Sequence, residues 1–201
     1  MADTLSFLEE PANTREAIMK ATYIALCEHG YAGLTIARIA DEFEKSKSLL
    51  YHHYDSKDEL LLDFLGFMLE AFQRAIPEGD SEPPEERLEA FIEGSLEPER
   101  WDEDLEFTSA MTELRAQAAH DERFKKHFTD HDRVFKETLV DTIETGIEEG
   151  VFRDVDPEQV ASFIVATLSG GMNQLATTES ETRTSIRDEL DRYVSTVLLV
   201  E

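Results

Sequence analysis

The stretch from Leu34 to Leu61, LTIARIADEFEKSKSLLYHHYDSKDELL, constrains the fold most. It reads as two short helices joined by a tight turn, with a capped third helix behind them. Thr35 suits an N-cap, and Ile36, Ile39, Ala40 and Phe43 recur at helical spacing on one face, which predicts a buried side. After the turn Glu44-Lys45, Ser46 is placed to cap a second helix. In that helix Leu50 and Tyr54, four residues apart, point back at the first.

The opposite face of the second helix is left to solvent. It carries Lys47, Ser48, Leu49, Tyr51, His52 and His53, a set that can meet phosphates, base edges and thymine methyls. Such a helix fits a major groove, and Thr35 and Arg38 flank it. Ser56-Lys57-Asp58-Glu59 predicts a capping box, and the long helix it opens would present Lys57 and its first amides to a phosphate.

Residues from about Asn13 to Leu65 resemble the N-terminal domain of the TetR/AcrR family of transcriptional regulators. The resemblance is carried by Thr35, Ile39, Ala40, Ser46, Lys47, Leu50, Tyr51, His53, Tyr54, Ser56, Lys57 and Leu60. Three positions depart from the pattern. Glu44 stands where the family usually has a turn glycine, and a left-handed conformation there costs a non-glycine residue about 1 kcal/mol. Lys45 replaces a small apolar plug, and Leu49 replaces a hydroxyl residue. The resemblance implies a dimer that docks paired recognition helices in successive major grooves of a double-stranded, palindromic operator. It also implies that a small-molecule effector in a helical second domain shifts the fourth helix and weakens operator binding.

A formal charge of -26, from 45 acids against 19 bases, at first opposes DNA binding. The distribution answers this. From Thr35 to Lys57, Arg38, Lys45, Lys47 and Lys57 balance Asp41, Glu42, Glu44 and Asp55, so the rest of the chain carries the whole excess. An acid-rich, lysine-poor surface resembles proteins of organisms with molar salt in the cytoplasm. At about 1 M salt the Debye length is roughly 3 Å, so the body would barely repel DNA and counterion release would add little. An ordinary acidic protein and a nucleic-acid mimic are the alternatives.

With 201 residues, 41% of them hydrophobic, the chain can bury a core without staples. Its single cysteine, Cys27, is expected to be buried as a small apolar side chain. No apolar run is long enough to span a bilayer and no signal segment opens the chain, so a cytoplasmic protein without membrane attachment is expected.

Helical periodicity runs throughout and predicts an all-α chain of about nine helices. Residues 1–57 form an N-terminal arm and a three-helix, helix-turn-helix DNA-binding domain. Residues 58–201 form a helical ligand-binding and dimerisation domain. A first helix starts at Asn13 with Ile18, Ala21, Ala25 and Leu26 inside and ends at His29-Gly30, while residues 1–12 read as a loose arm. The fourth helix runs from Lys57 to about Ile76, Pro77 to Pro84 is a loop, and helices follow over Glu85–Leu96, Trp101–His120, Glu122–Glu149, Pro157–Thr177 and Thr184–Leu199. Gly150 is a suitable stop, and Asp156-Pro157 a suitable start.

In the last two helices, Val160, Ile164, Leu168, Gly171 and Leu175 form one stripe, with Phe163 beside it. Ile186, Leu190, Tyr193, Val194 and Val197 form another. They suit a two-fold four-helix interface, with Gly170-Gly171 permitting close approach; an intrachain core is the alternative. A ligand pocket would be lined by Phe64, Phe67, Met68, Phe107, Met111, Arg115, Phe128, His131 and Phe135. His131 interrupts an apolar stripe and so needs a partner. His127 and His131 share a helix face, but two histidines make no metal site without further ligands, and no cofactor is implied.

No glycine-rich phosphate loop, nucleophile elbow or assembled metal site is present, so an enzyme is not expected. The leading reading is a dimeric DNA-binding regulator, a repressor released by an effector. The alternative is a helical scaffold acting through a protein partner, motivated by Glu44, Lys45 and Leu49.

Overall fold

The computed structural model describes residues 6–75, 82–96, 105–179 and 182–200. The expected loop over 77–81 and the expected helix start over 101–104 lie outside the described residues. In order, the helices are α1 Ser6–Glu9, α2 Thr14–Gly33, α3 Ile36–Glu42, α4 Lys47–His53, α5 Lys57–Ala75 and α6 Pro84–Leu96. They continue with α7 Leu105–Gln117, α8 Glu122–Glu148, α9 Pro157–Thr177 and α10 Thr182–Tyr193. A π-helical turn, Val194–Leu198, closes the series. The chain is all-α, and helix α1 replaces part of the loose arm expected there.

Two compact units are formed, Met1–Ile76 with Ser109–Thr129, and Pro77–Thr108 with Asp130–Glu201. In the first, Ile18, Ala21, Ala25 and Leu26 of α2 are buried as their spacing predicts, together with Ile39, Ala40 and Phe43, Leu50, and Leu60, Leu61 and Phe64. Ile36 and Cys27 are only partly buried. For Cys27 this corrects the expectation, because the inward stripe of α2 passes through Ala25 and Leu26 instead. Asn13 caps α2 by accepting the Glu16 N–H at 3.0 Å, and Glu16 returns a bond to the Ala12 N–H at 2.7 Å. The helix breaks at Gly30, whose φ of 60° is left-handed. It resumes for one turn before Leu34 and Thr35.

The second unit packs α9 on α10 and both on α6. Local signals set its ends. Asp156 accepts the Gln159 N–H at 3.1 Å on one oxygen and the Gln159 side-chain amide on the other, and the side-chain bond first, then the backbone one, holds its carboxyl below the ordinary value, while Pro157 opens the helix. Gly150 adopts φ 75° after α8, and the Phe152 N–H reaches back to the Gly146 carbonyl at 2.9 Å. A Cβ on Gly146 would lie 2.1 Å from the Phe152 ring, so only glycine admits that ring.

Two expectations are corrected in this unit. The last helix does not stay α-helical to Leu199. The Leu199 N–H bonds Val194 O at 3.0 Å, and the wider turn buries Leu198 while pairing Leu199 with Phe152 in an antiparallel bridge. The Arg153 N–H donates to Leu198 O at 2.7 Å and the Val200 N–H to Val151 O at 3.1 Å. The stripe Val160, Ile164, Leu168 and Gly171 is buried inside its own unit, with Gly171 set against Ile186. Among the large apolar residues expected at the interface, those that stay outside are Phe163, 47% exposed, and Val197, 36% exposed, beside the partly covered Tyr193.

Candidate nucleic-acid interface

The helix-turn-helix is built from caps. Thr35 Oγ1 accepts the Arg38 N–H at 3.2 Å and still has its own proton to donate. Phe43 ends α3 in extended conformation, φ -87° and ψ 111°. Among the described residues no residue other than glycine has a positive φ. The turn therefore accepts Glu44 without the left-handed strain that its sequence threatened, because an extended Phe43 replaces the left-handed residue. Lys45, in place of an apolar plug, lies outside and donates to Thr14 Oγ1 at 3.2 Å. Ser46 occupies the cap position of α4, but its hydroxyl pairs with Ser48 Oγ at 2.7 Å and caps no amide.

Leu50 anchors α4 with no exposed surface, while Tyr51 is 55% exposed and Ser48, His52 and His53 face out around it. The two imidazoles meet edge to face at 5.8 Å. Leu49 is partly covered. Tyr54 ends the helix and donates to Asp63 Oδ2 at 2.6 Å, which fixes α4 on α5. The side of α4 that the sequence left to solvent is thus assembled as one outward face.

The cations near it are engaged within the chain. Lys47 pairs with Asp41, and the Arg38 guanidinium donates to the Gly33 carbonyl. Lys57, expected to offer its ammonium to a phosphate, donates to Tyr31 O at 2.9 Å and lies 4.0 Å from the centre of the Tyr31 ring. The box at α5 forms, with Ser56 Oγ accepting the Glu59 N–H at 3.2 Å and Glu59 accepting the Asp55 N–H at 2.9 Å.

Periodicity gave no notice of the residues that brace this face. Asp63 also accepts from Arg15 at 2.8 Å, and Arg15 donates to Glu70 at 3.0 Å and lies over the Phe67 ring. These carboxylates raise the guanidinium pKa. The available signal was Asp63 itself, an acid set inside the apolar run Leu60–Phe72. Glu113 was missed as well; it accepts the Tyr31 N–H at 2.7 Å.

Of the residues expected to line a ligand pocket, Phe64, Phe67, Met68, Met111, Arg115 and Phe128 belong to the first unit and Phe107, His131 and Phe135 to the second. Within the first, Phe64, Phe67 and Phe128 are buried and the Arg115 guanidinium lies 4.8 Å from the Phe128 ring centre. Within the second, His131 stacks on Phe135 at 4.2 Å and meets Asp132 at 3.2 Å. Among the described residues no three of His, Cys, Asp and Glu converge on a point, and no helix is long and apolar enough to cross a membrane.

An exposed α4 face mounted on a capped α3 is the arrangement of a helix-turn-helix that reads DNA. The family model for bacterial regulatory proteins of the tetR family matches residues 18–64, and that for the C-terminal domain of BetI-type transcriptional repressors matches residues 84–199. The chain belongs to the TetR family of DNA-binding transcriptional repressors.

Among its relatives, the transcriptional repressor AcnR of Corynebacterium glutamicum is 29% identical over 171 residues, 84% of this chain and 85% of that protein. The repressor KstR2 of Mycobacterium tuberculosis is 30% identical over 156 residues, 75% of each. A TetR regulator from Haloarcula marismortui, known as a crystal structure, is 36% identical with a TM-score of 0.82, covering 92% of this chain and 97% of its own. A regulator from Saccharomonospora viridis, solved with choline, shares the fold at 23% identity and a TM-score of 0.78, covering 93% of this chain and 98% of its own. This membership displaces the reading of the chain as a scaffold without DNA.

Proposed function

We propose that the protein is a homodimer whose two α4 helices read the halves of a palindromic operator, and that a small-molecule effector releases it from DNA. The observation that carries this is the outward face of α4: Ser48, Leu49, Tyr51, His52 and His53 sit over a buried Leu50, in a charge-balanced patch of a chain with formal charge -26. Thr35, Arg38 and Lys47 complete the phosphate-facing set, the last two by exchanging Gly33 and Asp41 for DNA. Residues 1–57 serve the operator. Residues 58–201 serve effector and partner, and the candidate effector contacts are Phe64, Phe67, Met68, Met111, Arg115 and Phe128 in the first unit and Phe107, His131 and Phe135 in the second. The dimer face is the exposed side of α9 and α10, Phe163, Gly170, Tyr193 and Val197, because the buried stripes are already used within the chain.

The protein works in the cytoplasm of an organism with concentrated intracellular salt. Its acid excess supports this, as does the likeness to a regulator from Haloarcula marismortui. Fluorescence anisotropy with DNA from upstream of its own gene, titrated with KCl to molar concentration against a scrambled duplex, tests the reading. Preference for the upstream duplex that persists in molar KCl is expected. Equal affinity for both duplexes at every salt would count against an operator there and against salt adaptation.

A further inference from the structure

The broken end of α2 is held by a carboxylate from another helix. After Gly30, the amides of Tyr31 and Ala32 point at Glu113 of α7, whose Oε2 accepts them at 2.7 and 3.3 Å. A Cβ on Gly30 would lie 3.2 Å from both oxygens of that carboxylate, and the left-handed φ there aims the two amides at one point. Helix α7 is itself anchored by Ala110 and Leu114, both almost fully buried.

The same residue gathers the first turns of two more helices. The Tyr31 hydroxyl donates to Asp58 at 3.2 Å, Lys57 donates to its carbonyl, and Phe124 of α8 meets its ring edge on at 6.4 Å. Four positions on, Thr35 caps α3. Whatever holds Tyr31 therefore sets the direction in which the chain enters the helix-turn-helix.

We propose that Glu113 is a positioning residue for operator recognition. By clamping the Tyr31 and Ala32 amides it fixes how α2 delivers α3 and α4, and through them the face that meets the groove. This rests on the reading of the chain as an operator-binding dimer. A dimer must present two such faces at a fixed separation, so a loosened α2 end costs specific binding while sparing the electrostatic attraction that any duplex receives. Met111 and Arg115 lie two residues either side of Glu113 on α7, so an effector that displaces them withdraws the clamp.

The test compares Glu113→Ala and Glu113→Gln with the unsubstituted protein. Each is titrated against a duplex enriched from random DNA by the unsubstituted protein and against a scrambled duplex, and thermal unfolding is followed in parallel. In Glu113→Ala, affinity for the enriched duplex is expected to fall about fivefold or more, the range of ordinary site coupling. Affinity for the scrambled duplex should hold or rise slightly, since one negative charge is gone. Glu113→Gln keeps an acceptor and should fall between.

Equal loss on both duplexes would mean a merely structural residue, and unchanged enriched-duplex affinity would mean none of this role; either overturns the proposal. If Glu113→Ala does not fold, Glu113→Gln decides, and full affinity in it is overturning. Failure of the unsubstituted protein to enrich any duplex would instead sink the operator-binding reading, and the proposal with it.

Discussion

The Tyr54 hydroxyl and the Arg15 guanidinium share the carboxylate of Asp63, one on each oxygen, at 2.6 and 2.8 Å. One acid on α5 thereby ties the end of the recognition helix to the start of α2. Tyr54→Phe removes one arm and leaves the other. Because the phenol is only half-buried, the expected loss is about 1 kcal/mol, below the full value of a hydrogen bond to a charged group, and urea unfolding reads it.

That phenol also predicts an alkaline limit. Burial first, and then the bond to Asp63, raise the Tyr54 pKa above its ordinary 10.0. A raised folded value means stability fully present below pH 10 and lost as pH climbs towards the folded value. Urea midpoints of the native protein should decline above pH 10, and Tyr54→Phe should decline less steeply. Parallel curves for the two proteins would assign the loss to other groups.

Lys47 must leave Asp41 to reach a phosphate. Replacing Asp41 by Asn frees the ammonium, so DNA affinity at low salt should rise for operator and scrambled duplex alike. The logarithmic salt slope should steepen by about 1, because Lys47 still releases a cation from the phosphate it meets while no vacated carboxylate is left to take one up. The two side chains are 59% and 62% exposed, so little stability is at stake. An unaltered slope would show that the pair does not compete with DNA.

Two glycines should respond in opposite directions to alanine. Gly146→Ala drives a methyl into the Phe152 ring and should lower stability by about 1–3 kcal/mol, visible as a drop in Tm. Gly66 of α5 has no neighbour within 4 Å of an added methyl among the described residues, and there alanine improves helix propensity by up to about 1 kcal/mol. A stabilised Gly146→Ala would mean that the Phe152 ring does not sit against α8.

Phe163 lies 4.7 Å from the Tyr193 ring and stays 47% exposed. If the proposed dimer uses this face, Phe163→Glu should lower the mass from dimer to monomer in sedimentation equilibrium and weaken operator binding, since each half-site then binds alone. An unchanged mass would move the interface to another face.

What the sequence disclosed follows the range over which each signal acts. The start of α9 at Asp156-Pro157 and the stop at Gly150 depend on neighbours three or four residues away, and they stood where the residues implied. The inward faces of α2 and α3 were legible for the same reason. Lys57 with Tyr31, and Asp63 with Arg15, join residues tens of positions apart, and helical spacing carries no trace of such pairs. The stripe on α9 shows the complementary limit: periodicity reports that Val160, Ile164 and Leu168 are covered but not by which surface, and the cover is the chain's own. The π turn left no mark, since the demand for it comes from the distant Phe152.

The bridge between Phe152 and Leu199 makes α9 and α10 the body of a loop whose mouth is stitched by two backbone hydrogen bonds. In kinetic terms they behave as one cooperative segment. Once the mouth has closed, the entropy of bringing the ends together has been spent once for both helices, and it grows only with the logarithm of loop length. Amide exchange in α9 and α10 should then proceed through a shared opening rather than by fraying from the chain end. Residues 198–200 act as a fastener.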